Sequence, residues 1–560
     1  MIINAGSMLK GRRKTPPHLE TQYRQQGFWT DKVLTDYLEA CIVKQPERVA
    51  VLDERSGSVT YSQLGERATR LALGLHEAGV SKGDFFIIQI PNWYEFSVIH
   101  LALTYLGAIS VSVPVTFRHH EVQFVARATG AKGIAIPDDY QDFNFVEMMG
   151  DLRGELANLE IVLVIGEHAA TGMRSYQDLM SDPRMVTDSN KEFGATKPRP
   201  DDVTFVVFTS GSTGEPKGVM HTSNTLAAIN ATYVKEYGVS SDDVIFMPAP
   251  LGLSVGLMHG VRLAVFTGAT LLLQERWEPE KSIHLISQER ATLTVVVPTM
   301  LQDIVTSPKL LDHESLPSLR LVWVGGAFVS PSLVQRAHAN LPHTLISPGW
   351  GMSEGIGSCC NDDTPVSKVQ TTDGRAFPGT ELKIISPEGE GIPFGDEGEL
   401  AMRGPQLFTG YLHRPDLTDA AFLSDGFLRT GDLAQMDSDG YVKITGRVKD
   451  LIIRGGLNIS PVEVEEILSG DSRITTIALA GMPDERLGER ICAFVVPKSG
   501  AELTLEDLAD LAERSGLAKQ KWPERLEILT ELPMTPTGKV QRYALKQLIT
   551  EKLTEESRTA

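Results

Sequence analysis

Cysteine is scarce: four residues in 560, at Cys41, Cys359, Cys360 and Cys492, with no CxxC pair and no spacing suited to zinc. That excludes a disulfide-stapled scaffold and a structural zinc site. It predicts a reduced, cytoplasmic setting, with Cys359 and Cys360 as free thiols. Basic charge is short as well, with 53 Lys and Arg against 72 Asp and Glu and a formal net charge of −19. A broad nucleic-acid surface is excluded, whereas a local basic funnel for an anionic ligand is not. Long apolar runs are missing, and none approaches the ~18 residues of a spanning helix. The longest candidate, residues 101–115, contains Gly107 and turns β-branched halfway, so it predicts a helix leading into a strand. Arg12 and Arg13 have no apolar stretch behind them, so no signal peptide is expected.

What is present points to a large α/β protein. At 560 residues the chain exceeds what one hydrophobic core supports, so two or more domains are expected. In "TYSQLGERATRLALGLHEAG" (60–79), Leu64, Ala68, Leu71, Ala72 and Leu75 share one helical face, and Thr60 with Gln63 forms a capping box. Around it, short apolar runs such as "FFIIQI", "GIAIP", "VTFVVF", "ATLLLQ" and "LRLVWVGG" alternate with helical patterns, which predicts βα units forming helix-covered sheets. After about residue 375 the texture changes to short strands broken by Gly, Pro and Asp, a β-rich subregion of hairpins. A small α+β domain follows. The expected division is a large N-terminal domain over 1–448 and a C-terminal domain over 449–560, with the boundary near "GRVKDL".

"TSGSTGEPKG" (209–218) leaves the strand-like "VTFVVF", where emerging backbone amides meet an anion. Gly211 and Gly214 let the backbone approach a phosphate, Thr209, Ser210, Ser212 and Thr213 offer hydroxyl donors, and Lys217 adds a positive charge. Each charge-assisted bond is worth about 1.5–3 kcal/mol, so several together hold a triphosphate. The Walker pattern fails, because Pro216 stands where its second glycine belongs and Gly218 follows Lys217 in place of Ser or Thr. A Gly/Ser linker fails too, since an apolar strand enters the segment and "GVMHTS" leaves it.

The segment resembles the signature of the adenylate-forming superfamily of acyl-CoA synthetases, adenylation domains and luciferases, and companion motifs stand in family order across nearly the whole chain. "LVWVGGA" (321–327) resembles the strand and turn lining an adenine pocket, with Gly325, Gly326 and Ala327 against the base. "GWGMSEG" (349–355) resembles the aromatic-Gly-x-Thr-Glu motif, with Trp350 in place of the commoner tyrosine and Ser353 in place of threonine. There Trp350, Gly351, Met352 and Ser353 are implied nucleotide contacts, and Glu354 is the implied Mg²⁺ ligand. "LRTGDLA" (428–434) supplies Asp432 for the ribose hydroxyls. "GRVKDLIIRGGLNISPVEVE" (446–465) supplies Arg447 for ribose or phosphate, Lys449 at the hinge, and Arg454, Gly455 and Gly456, which line a CoA tunnel or form a simple turn. "PMTPTGKVQR" (533–542) supplies Lys539 at the catalytic lysine position. His221 is either close to this site or a hydrogen-bonded structural histidine. His119 and His120 lack the HExxH context of a metal site.

The resemblance implies that a carboxylate attacks the α-phosphate of MgATP, that pyrophosphate leaves, and that rotation about the hinge presents the acyl adenylate to a thiol. The acid pocket is expected between "MPAPLGLSVGLMHG" (247–260) and "GWGMSEG", lined by Leu253, Ser254, Val255 and Trp323. It lacks the Asp of amino-acid-activating relatives and the Asn of catechol-acid relatives, so an aliphatic, alicyclic or simple aryl acid is expected. "YRQQGFWTDKVLTDYLE" (23–39) resembles ligases for aryl, cyclohexanecarboxylate-like or medium-chain acids. CoA is the expected acceptor, and a carrier protein's pantetheine arm is the alternative; a luciferase-like oxygenase gains no specific support. Arg454, Lys519 and Lys521 are candidates for CoA phosphates, the last two reading better as a solvated face. A monomer and a homodimer both fit.

Overall fold

The short apolar runs become strands of two large sheets. The structure, a computed structural model, describes residues 9–181, 186, 188–209, 216–312, 316–454, 457–484, 487–515, 517, 519–535 and 538–559. Strands Phe85–Ile88, Ile109–Ser112, Gly133–Pro137 and Ile161–Ile165 pair in parallel and are buried throughout, which is why they read as near-continuous apolar runs. Val203–Thr209 continues this sheet in parallel beside Ile109–Ser112, then Lys217–Thr222 and Gly410–Tyr411 extend it antiparallel, while Arg174–Ser175 closes the other edge. The nine-stranded sheet has a parallel centre, Val49–Asp53, Thr270–Leu273, Val244–Met247, Leu293–Val296, Leu321–Val324 and Leu345–Met352, with antiparallel strands at both ends.

The helix Tyr94–Leu106 is buried at every position after its first and touches strands of both sheets. An element enclosed on all sides needs no polar face, and this one shows no amphipathic stripe. It ends at Gly107, and the strand Ile109–Ser112 follows, as the apolar run 101–115 predicts. The helix Tyr61–Glu77 carries the expected capping box: Thr60 Oγ1 accepts from Gln63 N at 3.3 Å and Gln63 Oε1 accepts from Thr60 N at 3.0 Å. Among the helices, Ser223–Tyr237 is again almost wholly buried.

The chain forms two compact units. One holds residues up to Glu381 together with Arg403–Leu428 and contains both large sheets; the other holds Leu382–Met402 and Arg429 onward. Packing therefore groups the four-stranded sheet Glu381–Ile385, Glu397–Arg403, Leu428–Met436 and Val442–Arg447 with the C-terminal elements, ahead of the boundary read from sequence texture. A short 3₁₀ turn, Val448–Asp450, leads from this sheet to a five-stranded one, where Ile452, Leu479, Ile491 and Val495 share a core with Val464 of the helix Pro461–Leu468 and Leu508 of the helix Leu505–Arg514. All four cysteines are free and buried; burial pushes the Cys360 thiol up to about 12, which leaves it unreactive.

Candidate active site

Thr209 and Lys217 stand directly opposite each other in the antiparallel pair Val203–Thr209 and Lys217–Thr222. The glycine-rich segment therefore joins two strands of a hairpin, where a Walker loop would join a strand to a helix. Ser210, Gly211, Ser212, Thr213 and Gly214 lie outside the described residues. Lys217 Nζ stands 5.2 Å from the centre of the Tyr411 ring, on the strand paired with Val219 and Met220.

Tyr411 leads to the next motif. Its hydroxyl donates to Glu354 Oε1 at 2.8 Å, and burial together with that carboxylate raises the phenol, so it stays a donor. Glu354 is only 5% exposed. Met352 and Gly355 are cross-strand partners, so Ser353 and Glu354 form the tight turn between the strands Leu345–Met352 and Gly355–Cys359. Ser353 is held twice. Its hydroxyl meets that of Ser254 at 3.0 Å, and its carbonyl accepts from His221 Nε2 at 2.8 Å. A carbonyl only accepts, so Nε2 carries the proton and Nδ1 faces the Thr225 hydroxyl at 3.1 Å. Burial lowers His221 to about 4, which keeps it neutral. His221 is a buried, hydrogen-bonded histidine that touches the "GWGMSEG" turn.

Glycines in "LVWVGGA" and "GWGMSEG" serve the indole of Trp323. A Cβ on Gly325 would come within 2.5 Å of Gly349 O and 2.8 Å of the Trp323 ring, and one on Gly349 within 2.6 Å of Trp323 Nε1. Gly326 and Ala327 are exposed, Trp350 is buried, and Gly351 and Met352 are half-buried. Leu253, Ser254 and Val255 are half-buried at the start of a helix that passes through a π-turn, Leu257–Val261, before Arg262–Thr267. The π-turn is closed by Arg262 N donating to Leu257 O, and it carries His259, whose ring stacks on Trp323 at 6.1 Å.

In the second unit, Asp432 and Arg447 come together: Arg447 Nε donates to Asp432 Oδ1 at 2.8 Å, and Asp432 is 5% exposed. Lys449 is exposed in the 3₁₀ turn. Arg454 pairs bidentately with Glu524 at 3.0 Å for each contact, and Gly455 and Gly456 lie outside the described residues. Lys521 pairs with Glu463, and Lys519 lies over the Trp522 ring. Lys539 is exposed beside Gly538, whose φ is +74°. Thr535 Oγ1 accepts from Lys539 N at 3.0 Å, and Thr535 N donates to Lys539 O at 2.7 Å. Sequence reasoning missed Tyr411, the partner of Glu354, and His259, which stood inside the quoted "MPAPLGLSVGLMHG".

The family model described as AMP-binding enzyme matches residues 38–412, and the one described as AMP-binding enzyme C-terminal domain matches residues 463–539. The chain belongs to the AMP-binding enzyme family. It is an AMP-forming acid ligase of the acyl-CoA synthetase type. This AMP-binding enzyme is 35% identical over 538 residues to the medium-chain fatty-acid–CoA ligase of Escherichia coli, covering 95% of this chain and 93% of that one. It is 31% identical over 540 residues to a salicyl-AMP ligase / salicyl-S-ArCP synthetase of Mycobacterium tuberculosis, with 95% and 93% covered. The crystal structure of ATP-bound MatB from Rhodopseudomonas palustris superposes with a TM-score of 0.82 at 26% identity, covering 92% of this chain and 99% of that one.

Among the described residues of this AMP-binding enzyme, no helix is long and apolar enough to cross a membrane, and no group of three or more His, Cys, Asp or Glu is arranged to hold a metal. Mg²⁺ needs no such group, because it binds through one or two carboxylates with waters and substrate phosphates. A buried carboxylate oriented by a tyrosine hydroxyl, as Glu354 is, fits that mode.

Proposed function

We propose that this chain is a cytoplasmic, ATP-dependent acid–thiol ligase. It joins a hydrophobic carboxylic acid, of medium-chain, alicyclic or simple aryl type, to AMP with release of pyrophosphate, and passes the acyl group to CoA. The contact between Ser254 and Ser353 beside buried Glu354 carries this reading. It sets the largely apolar segment Leu253, Ser254 and Val255 against the turn that presents a carboxylate for phosphate chemistry. A relative that ligates medium-chain fatty acids and another that ligates salicylate support the acid class.

A carboxylate is a poor acyl donor, because its leaving group would be oxide. In the first step a carboxylate oxygen bonds to the α-phosphorus of ATP, and the bond from that phosphorus to the bridging oxygen of the leaving pyrophosphate breaks. Thr209, Ser210, Gly211, Ser212, Thr213, Gly214 and Lys217 hold the phosphates. Gly325, Gly326, Ala327, Trp350, Gly351 and Met352 hold the adenine, while Asp432 and Arg447 hold the ribose. Glu354 would hold Mg²⁺, which when bound neutralises phosphate charge. Lys539 is the catalytic residue that stabilises charge between the carboxylate and the α-phosphate as pyrophosphate departs.

In the second step the CoA thiol attacks the adenylate carbonyl and AMP leaves. Rotation about Lys449, in the 3₁₀ turn, replaces Lys539 with Gly455 and Gly456 along the pantetheine path. Arg454 must leave Glu524 to meet a CoA phosphate. Acid-dependent pyrophosphate release, measured over a panel of hydrophobic carboxylates with CoA as acceptor, tests the reading. Release coupled to thioester formation supports it, and no release with any acid overturns it. The likeness to a salicyl-S-ArCP synthetase favours a second reading, in which a separate carrier's pantetheine arm is the acceptor; acylation of a carrier but not of CoA would select it.

A further inference from the structure

Three elements meet in a buried cluster whose polar atoms do not satisfy one another. Tyr233, on the helix Ser223–Tyr237, is wholly buried, and its ring lies 5.2 Å from that of His259 in the π-turn. His259 in turn stacks on Trp323 of the strand Leu321–Val324, with the planes 23° apart. One turn before Tyr233, the Asn230 amide nitrogen donates to the Met258 carbonyl, also in the π-turn, at 2.8 Å. That leaves Asn230 Oδ1, Tyr233 Oη, His259 Nδ1 and Trp323 Nε1 shielded from solvent with no hydrogen-bond partner among the described residues. Each such group costs about 1–3 kcal/mol if left unpaired, so a cluster of four calls for something that pairs with them.

The cluster's place in the fold says what that is. Trp323 is itself one of the residues assigned to the acyl pocket, and His259 follows Val255 by one turn of the same helical segment, so two of the four orphaned atoms belong to residues in or next to the segment assigned to the acyl group. The tyrosine O–H and the indole N–H are donors, Asn230 Oδ1 is an acceptor, and the neutral imidazole offers one of each. Burial lowers His259 to about 4 and raises the Tyr233 phenol, so neither carries charge near pH 7. A π-turn is uncommon and concentrates at functional sites.

We propose that Asn230, Tyr233, His259 and Trp323 form a polar end to the acyl pocket, and that the natural acid carries a hydroxyl or carbonyl oxygen removed from its carboxylate, which accepts from Tyr233 or Trp323. The proposal rests on the ligase reading above and narrows it: the body of the acid is apolar and its far end is oxygenated. A hydroxyl also donates to Asn230 Oδ1 or His259 Nδ1, whereas a carbonyl uses the two donors alone.

Matched acids test it. Pyrophosphate release by the full chain with ATP is compared for octanoate against 7-oxo- and 7-hydroxyoctanoate, cyclohexanecarboxylate against its 4-oxo and 4-hydroxy derivatives, and benzoate against 3- and 4-hydroxybenzoate. At least one oxygenated acid is expected to exceed its parent in kcat/KM by about tenfold or more. Tyr233→Phe is expected to cut that ratio by about tenfold. If Tyr233→Phe fails to fold, the ratio in the unaltered chain still decides. Turnover in which every parent acid equals or exceeds its oxygenated partners overturns the proposal and leaves the ligase reading standing. A preference that Tyr233→Phe leaves intact overturns the assignment to this wall. No release with any acid overturns the ligase reading itself.

Discussion

Arg447 and Asp432 are direct partners across the hairpin of Leu428–Met436 and Val442–Arg447, joined by a 2.8 Å hydrogen bond from Nε to Oδ1. The arginine thus aims the carboxylate that the ribose is proposed to meet. Asp432→Ala is expected to raise the KM for ATP about tenfold or more, since hydrogen bonds to charged groups are worth about 1.5–3 kcal/mol. Arg447→Met acts through the same carboxylate, so the double variant is expected to fall well short of the product of the two single effects. Initial rates of pyrophosphate release against ATP concentration check both.

Lys539→Ala separates the half-reactions. Losing one donor aimed at transition-state charge typically costs about 10²-fold or more, so adenylate formation slows by that factor. Thioester formation from supplied acyl adenylate and CoA is expected to survive. Equal loss in both measurements sinks the role given to Lys539.

Tyr411→Phe removes the hydroxyl that meets Glu354 Oε1 and little else. The expected result is a several-fold rise in the Mg²⁺ concentration giving half-maximal pyrophosphate release, with the thermal midpoint shifted only slightly. A Mg²⁺ titration unchanged from the unaltered chain would show that Glu354 needs no such support.

Acid is expected to destabilise the fold through its buried histidines. His221 and His259 ionise at about 4 in the folded chain, and His100 is displaced the same way, all chiefly by burial. The unfolded chain binds their protons near 6.5, so it holds more protons between those values. Stability present above pH 6.5 is therefore lost as pH falls toward 4, at up to about 1.4 kcal/mol per pH unit for each histidine. Urea unfolding at pH 7, 6 and 5 measures the slope, and His259→Gln is expected to remove one histidine's share. An unfolding free energy flat across that window contradicts neutral burial.

Elements whose signal is local were legible in the sequence. The Thr60–Gln63 cap, the buried parallel strands and the two ends of the glycine-rich segment all follow from residues close together in the chain. What escaped depends on contacts between distant residues. Tyr411 reaches Glu354 only because a two-residue strand joins the edge of the eight-stranded sheet. Asp432 and Arg447 were each legible, yet their pairing depends on a register shift between Leu433 and Ala434 that no residue pattern announces. Gly325 also makes room for the Trp323 indole, a crowding set by Gly349 on the neighbouring strand that the motif alone does not announce. His259 was hidden because a π-turn departs from the 3.6-residue period on which helix faces are counted.

The π-turn Leu257–Val261 makes chain length itself a determinant of the proposed pocket. Each residue of an α-helix advances the direction of its side chain by about 100°. Deleting one residue here would restore ordinary helical pairing and turn everything on one side of the cut by that angle. His259 would swing off Trp323 although every other amino acid stayed the same. In the proposed pocket, a single-residue deletion at this turn would therefore change the wall more than most substitutions would.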